Sequence, residues 1–152
     1  MEILPKLWIG NSKLSYDKDF MISNNIRYII NLTYDVPNYF KNITYFNIPI
    51  RDTNFKDSEL TMTTNQLFEV INKFIEKGYH HNIGIMIHDN NDASLASLFA
   101  AGFIISRLKI SYKELVDYLK VQNNYNSKLN LDYLQNNEYL ITYAKQFKSS
   151  AC

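Results

Sequence analysis

The sequence predicts one α/β domain, a central mixed sheet of about five strands flanked by helices. Short β-branched apolar runs cluster early in the chain, and helical periodicities accumulate after them. No repeat, low-complexity block or Pro/Gly/Ser linker divides residues 1–152, so the unit is a single domain.

The elements follow in order. Glu2 to Gly10 (EILPKLWIG) is apolar around a Pro, which fits two short strands and a bend. Tyr16 to Asn24 carries a weak helical pattern. Ile26 to Leu32 (IRYIINL) and Ile83 to His88 (IGIMIH) are nearly continuous in hydrophobicity, as strands buried on both faces are. Thr44 to Ile50 (TYFNIPI) reads as another strand, placed near a sheet edge by Pro49. Leu67, Val70, Ile71, Phe74 and Ile75 repeat at helical spacing, with Gly78 positioned to end that helix. Leu95 to Ile105 (LASLFAAGFII) is apolar almost all round, the mark of a helix buried on most faces. Tyr112, Leu115, Val116 and Leu119 form a narrower stripe behind Ser111, a natural N-cap. After the polar stretch Gln122 to Lys128, a final helix is expected from about Leu131 to Phe147.

Composition narrows the function classes. The chain is 46% apolar and 20% charged, an ordinary globular balance. Sixteen basic side chains against fifteen acidic ones give a net charge of +1, which removes the electrostatic argument for nucleic acid or an anionic membrane as main partner. No apolar run reaches the length of a membrane span, and no basic-then-apolar leader opens the chain. An intracellular protein is therefore expected, cytoplasmic first, with the nucleus left open. The one cysteine is Cys152, so neither a disulfide framework nor a cysteine metal site is expected, and no cofactor is implied. Nineteen Asn and 18 Ile beside 3 Arg fit an AT-rich coding genome. Twelve Tyr and nine Phe supply packing material first, and they permit a homodimer without requiring one.

Chemistry is expected where a strand meets a buried helix: Gly84-Ile85-Met86-Ile87-His88, then Asp89-Asn90-Asn91-Asp92-Ala93-Ser94, then Leu95 onward. A short polar loop there gathers unpaired backbone N–H groups, and the helix dipole adds partial positive charge. Such a loop is a natural anion site.

On these residues the chain resembles the dual-specificity phosphatases, the small cysteine-dependent branch of the protein tyrosine phosphatase superfamily. Leu7-Trp8-Ile9-Gly10-Asn11 is similar to the family's early Leu-aromatic-aliphatic-Gly strand. Ile26-Arg27-Tyr28-Ile29-Ile30-Asn31-Leu32-Thr33 resembles the next strand, ending in Asn-aliphatic-Thr/Ser. Tyr45-Phe46-Asn47-Ile48-Pro49-Ile50-Arg51-Asp52 resembles the strand whose Ile-Pro leads to the general-acid aspartate. The helix order and Asn130 ahead of the last helix also agree. The match runs from about Ile3 to Phe147, and five blocks in register make a strong joint signal. The fold implied is dual-specificity-phosphatase-like.

The signature loop departs from the family. The resemblance implies His-Cys, five residues, Arg, then Ser or Thr. His88 keeps the histidine position, but Asp89 stands at the cysteine, Asp92 at the small glycine, Leu95 at the arginine and Ala96 at the hydroxyl. Asp52 remains at the general-acid position. Family chemistry needs a thiolate to attack phosphorus. A carboxylate at Asp89 would instead repel a phosphate, by about 4 kcal/mol at ~4 Å and an effective dielectric of ~20. Losing the arginine removes two charge-assisted hydrogen bonds of roughly 1.5–3 kcal/mol each. Nucleophile, phosphate clamp and tolerance for an anion are lost together, the pattern of a natural pseudophosphatase.

Three functional readings follow. The first is a non-catalytic protein-binding or regulatory module in signalling, its partner protein unidentified. Here Asp89 and Asp92 accept backbone N–H groups and act as a built-in phosphate substitute. The second is residual phosphatase activity using Asp89 and Asp52, with metal assistance if Asp52, Asp89 and Asp92 converge with Asn90 or Asn91 on Mg²⁺ or Ca²⁺. Against the metal, a helix N-terminus is the wrong end for a cation. The third is a phospho-residue reader, opposed by Leu95. Asp52 has no leaving group to protonate without a nucleophile, so a loop-fixing role suits it better. His80 and His81 are expected in a solvated loop, His88 is expected to hydrogen-bond and shape the loop, and Leu95 is expected in the core.

Overall fold

The structure is a computed structural model, and it describes residues 2–50, 62–90, 93–123 and 129–147. Five strands form one sheet: β1 (Glu2–Leu4), β2 (Leu7–Asn11), β3 (Ile26–Asn31), β4 (Thr44–Asn47) and β5 (Gly84–Asp89), in the spatial order β1-β2-β5-β3-β4. The β1–β2 pair is antiparallel and the other three pairings are parallel, so the sheet is mixed as expected. β4 lies at an edge, but it closes at Asn47, and Pro49 follows the strand rather than sitting in it.

The continuous apolar runs hide a period of two. Along β3, Tyr28 and Ile30 face the larger core while Ile29 faces a smaller one. Along β5, Ile85 and Ile87 face the larger core and Met86 the smaller. An irregularity in pairing between Ile26 and Tyr28 shifts the alternation at the start of β3, and Ile26 joins the smaller side. Both faces of the central strands are therefore covered, which explains why alternation is invisible in the sequence. α1 (Lys18–Ser23) covers the smaller face, capped by Asp17, with Phe20 edge-on to Trp8 at 4.9 Å.

The larger face carries α2 (Thr64–His80), α3 (Ser94–Leu108), α4 (Tyr112–Asn123), α5 (Leu131–Leu134) and α6 (Glu138–Ala144). α2 starts in a reciprocal capping box between Thr63 and Gln66. Gly78 does not end it. The helix continues to His80, and a Cβ on Gly78 would lie 2.5 Å from Ile85 Cγ1, so the glycine lets α2 lie close on β5. α3 is buried from Ser94 through Ile105, which accounts for its apolarity all round. Among the described residues no single helix is long and apolar enough to cross a membrane. Ser111 caps α4 as expected, its Oγ accepting from Glu114 N.

The expected final helix is two. Asn136 adopts a left-handed φ of 61°, and Asn137 accepts from the N–H groups of Tyr139 and Leu140, ending one helix and starting the next. Tyr143 on α6 is fully buried; its hydroxyl donates to Glu69 on α2 at 2.7 Å and accepts from Asn72 at 2.8 Å. Burial first, then the Glu69 carboxylate, pushes that hydroxyl's pKa up.

Candidate functional site

The loop after β5 lies at the C-terminal ends of three adjacent parallel strands. Gly10 and Asn31 pair with His88 from either side, Asn11 pairs with Asp89, and Leu32 N–H donates to His88 O at 3.0 Å. In parallel α/β sheets this end collects the loops that bind ligands.

Asp89 is the last residue of β5 and is 4% exposed. Its side chain turns toward the start of α3. Oδ1 accepts from Ala93 N–H and Oδ2 from Ala96 N–H, each at 3.1 Å. A carboxylate thus spans the helix N-terminus, where orphan N–H groups and the dipole favour negative charge. Ala93 makes the turn possible by taking a left-handed conformation (φ 62°, ψ 22°), a strain of roughly 1–2 kcal/mol for a residue with a Cβ. Its carbonyl then opens the helix by accepting from Ser97 N–H at 2.8 Å.

Leu95 is buried in the larger core, as expected, and Ala96 is fully buried behind it. Asp52, Asn91 and Asp92 lie outside the described residues. His88 is 1% exposed, and burial lowers its pKa to about 4, so the ring is neutral at pH 7. Its backbone carbonyl accepts from Leu32 N–H just beyond β3 and not from the loop it was expected to shape; ring Nδ1 has no partner among the described residues. His80 and His81 are exposed at the end of α2, before β5 begins, and so at the opposite end of that strand from Asp89.

Several contributors carry no pattern in the sequence. Ser12 Oγ donates within reach of Asp89 O (3.2 Å) and Asn90 Oδ1 (3.3 Å). Asn90 Nδ2 donates to Asp35 Oδ1 at 3.1 Å. These partners are brought together across the sheet, with 77 positions between Ser12 and Asp89, so only the fold joins them. Asn130 is the legible one. It caps α5, donates from Nδ2 to Ser94 Oγ at 2.9 Å and from its backbone N–H to Ser97 Oγ at 3.0 Å. The first turn of α3 is thereby pinned from outside as well as by Asp89.

A family model described as the catalytic domain of dual specificity phosphatases matches residues 7–144. The chain belongs to this family. The human dual specificity protein phosphatase 6 is 28% identical over 127 residues, which is 82% of this chain and 32% of that protein. The Drosophila melanogaster dual specificity protein phosphatase Mpk3 is 33% identical over 92 residues, 58% of this chain and 21% of that one. The chain thus spans about a third of the length of the first of these relatives.

Among solved structures, this dual-specificity phosphatase domain is similar to a mouse putative dual specificity phosphatase complexed with zinc tungstate. That match has a TM-score of 0.74 at 14% identity and covers 99% of this chain and 89% of that one. It is also similar to the human tyrosine phosphatase-like serine/threonine/tyrosine-interacting protein, with a TM-score of 0.71, 17% identity and coverage of 96% and 93%. At these identities the likeness is one of fold. The five-stranded mixed sheet flanked by helices is the dual-specificity phosphatase architecture.

Proposed function

We propose that this domain is a pseudophosphatase: a dual-specificity phosphatase fold that has lost catalysis and acts as a protein-interaction or regulatory module in signalling. One observation carries the reading. The residue at the family's cysteine position is Asp89, and its two oxygens accept from the Ala93 and Ala96 N–H groups at the mouth of α3. Those donors are of the kind that would hold a phosphate, and here an internal carboxylate holds them.

Leu95 supports the same reading from the other side. At the family's arginine position it offers packing to the core and no donor to a phosphate oxygen. An incoming phosphate would have to displace Asp89 from two charge-assisted bonds and then meet its charge at close range. His88, neutral and buried, supplies no compensating cation. Residual phosphatase activity through Asp89 and Asp52, with or without a metal, remains the alternative enzyme reading. It gains nothing from a carboxylate whose oxygens are engaged by backbone.

The test is turnover of an aryl phosphate by the purified chain. The proposal expects none above a buffer blank, with or without Mg²⁺. Turnover that Asp89→Ala abolishes would instead establish an aspartate-dependent phosphatase.

A further inference from the structure

At the end of the sheet away from Asp89, a cavity of about 130 Å³ opens between α1, the start of β3 and the segment that leads into β4. β3 runs from Ile26 to Asn31, and Asn31 pairs with His88, so this cavity and the degenerate loop lie at opposite ends of one strand. The floor is apolar. Met21, Ile26 and Ile43 are buried in the smaller core, with Phe40 packed against them. An apolar cavity of ~150 Å³ takes one benzene-sized group, so this one is scaled to a single side chain.

The walls are held by bonds within the chain. Phe40 N–H donates to the Tyr45 hydroxyl at 3.0 Å, and Asn25 O accepts from Gly84 N–H at 2.9 Å. Asn25 takes a left-handed φ of 49°, and its N–H donates to Ile22 O at 3.2 Å, which closes the end of α1. A pocket formed in advance loses little entropy on binding.

Charge at the rim decides what fits. Lys18 and Arg27 line the cavity, both exposed, and no described carboxylate does. Among the described residues neither makes an ion pair; Arg27 Nε donates to the neutral Asn25 Oδ1 at 3.3 Å. Lys41, also exposed, stands between the lining residues Phe40 and Asn42 and adds a third cation. The neighbouring acids in the chain are Asp17 and Asp19. Asp17 is engaged in capping α1, its Oδ1 accepting from Phe20 N–H at 3.0 Å. Asp19 falls off the stripe of Lys18, Met21, Ile22 and Asn25, whose three-and-four spacing borders the cavity. Beside the cations, Ile22 is 67% exposed and carries the apolar surface outward.

We propose that this pocket docks a protein segment in which an aromatic side chain is flanked by carboxylates. The ring enters the cavity, and the carboxylates pair with Lys18 and Arg27 at its rim. Room for one ring is too little for the broad apolar contact that holds a helix on a membrane surface. The inference goes beyond the pseudophosphatase reading and stands without it, since the cavity shares no residue with the loop of Asp89.

The test is an amide NMR titration of the full chain with unlabelled, end-blocked Gly-Asp-Glu-Phe-Asp-Glu-Gly at ~50 mM salt. Saturable shifts at residues 18–27 and 40–43 are expected, with half-saturation below about 1 mM. The counterpart with Asn and Gln in place of the acids, and the one with Ala in place of Phe, are each expected to bind at least about fivefold more weakly. Lys18→Gln and Arg27→Gln should each weaken binding about threefold, while Asp19→Asn leaves it equal or tighter. All three positions are exposed, and unchanged circular dichroism checks that the fold persists. No saturation by about 1 mM, equal binding of the amide peptide, indifference to both cation variants, or shifts centred elsewhere would overturn the proposal. Co-sedimentation with phosphatidylserine vesicles in place of peptide binding would give this face to a membrane, and a dimer that Ile22→Ser dissolves would give it to a second copy; either result overturns it. Peptide signals fall at residues 18–27 and 40–43 and tungstate signals at 89–96, so failure of this proposal and failure of the pseudophosphatase reading are told apart.

Discussion

Asp89 Oδ2 and Ala96 N–H are joined by a 3.1 Å hydrogen bond across seven residues, so the end of β5 reaches past its own loop into the first turn of α3. Together with the bond from Ala93 N–H, this makes one side chain the internal closure of the loop. A nucleophilic thiol at the same position would leave these N–H groups to a bound anion. In the proposed reading the carboxylate turns a binding device into a structural one, and stability is where that would first show.

Asp89→Ala is expected to destabilise the fold by about 2–4 kcal/mol, since a buried donor at Ala96 and a half-buried one at Ala93 lose a charged acceptor and Ala93 keeps its strained backbone. Urea unfolding measures it. In the same variant the freed N–H groups should gain affinity for tungstate or phosphate, which isothermal calorimetry reads. A variant as stable as the parent would mean that the carboxylate does not hold the loop.

Asp89→Cys alone is expected to give no aryl phosphate turnover above a blank. A thiol there would have no arginine to stabilise transition-state charge, because Leu95 is packed into the core. Adding Leu95→Arg is expected to lower the melting temperature by several degrees, as it puts a charge where an apolar side chain is 6% exposed. Strong activity in the single variant would contradict this account of the loop.

Much of this was legible from the residues. The strand–loop–helix junction at His88 to Leu95 was visible as a change of pattern, and Asp89 as an N-terminal carboxylate followed from helix electrostatics. The alternation along β3 and β5 was not visible, because helices cover both faces and every position is apolar. Gly78 misled because a glycine at a helix end and a glycine under a close strand contact look alike until Ile85 is in place. The last helix misled in the opposite way: Leu131 to Phe147 keeps an apolar rhythm, and the break comes from Asn136 and Asn137, which serve turns and caps as readily as helix surfaces. Ser12, Asp35 and Asn90 could not be paired from sequence, since nothing local links them.

Gly78→Ala tests the close approach of α2 to β5. The added methyl meets Ile85, and Tyr28 Cδ2 lies 3.3 Å away, so a loss of about 1–3 kcal/mol is expected in place of the gain that alanine brings to an exposed helix site. A melting temperature raised by the substitution would show that α2 has room to move.

His88 makes stability depend on pH. Its pKa is lowered from 6.5 to about 4 by burial, so the unfolded chain binds this proton more readily than the folded one. Stability is complete above about pH 6.5 and falls as pH drops toward 4, by about 2 kcal/mol between pH 7 and pH 5. His88→Gln should flatten that slope in urea unfolding at the two pH values. An unchanged slope would mean the ring is solvated or already charged.

The most direct measurement is an amide NMR titration of the purified chain with tungstate, following the backbone signals of residues 89–96. The account predicts no shifts at millimolar anion, because Asp89 already occupies the N–H groups of Ala93 and Ala96. Saturable shifts confined to that loop would contradict it, showing an anion site that still competes with the carboxylate.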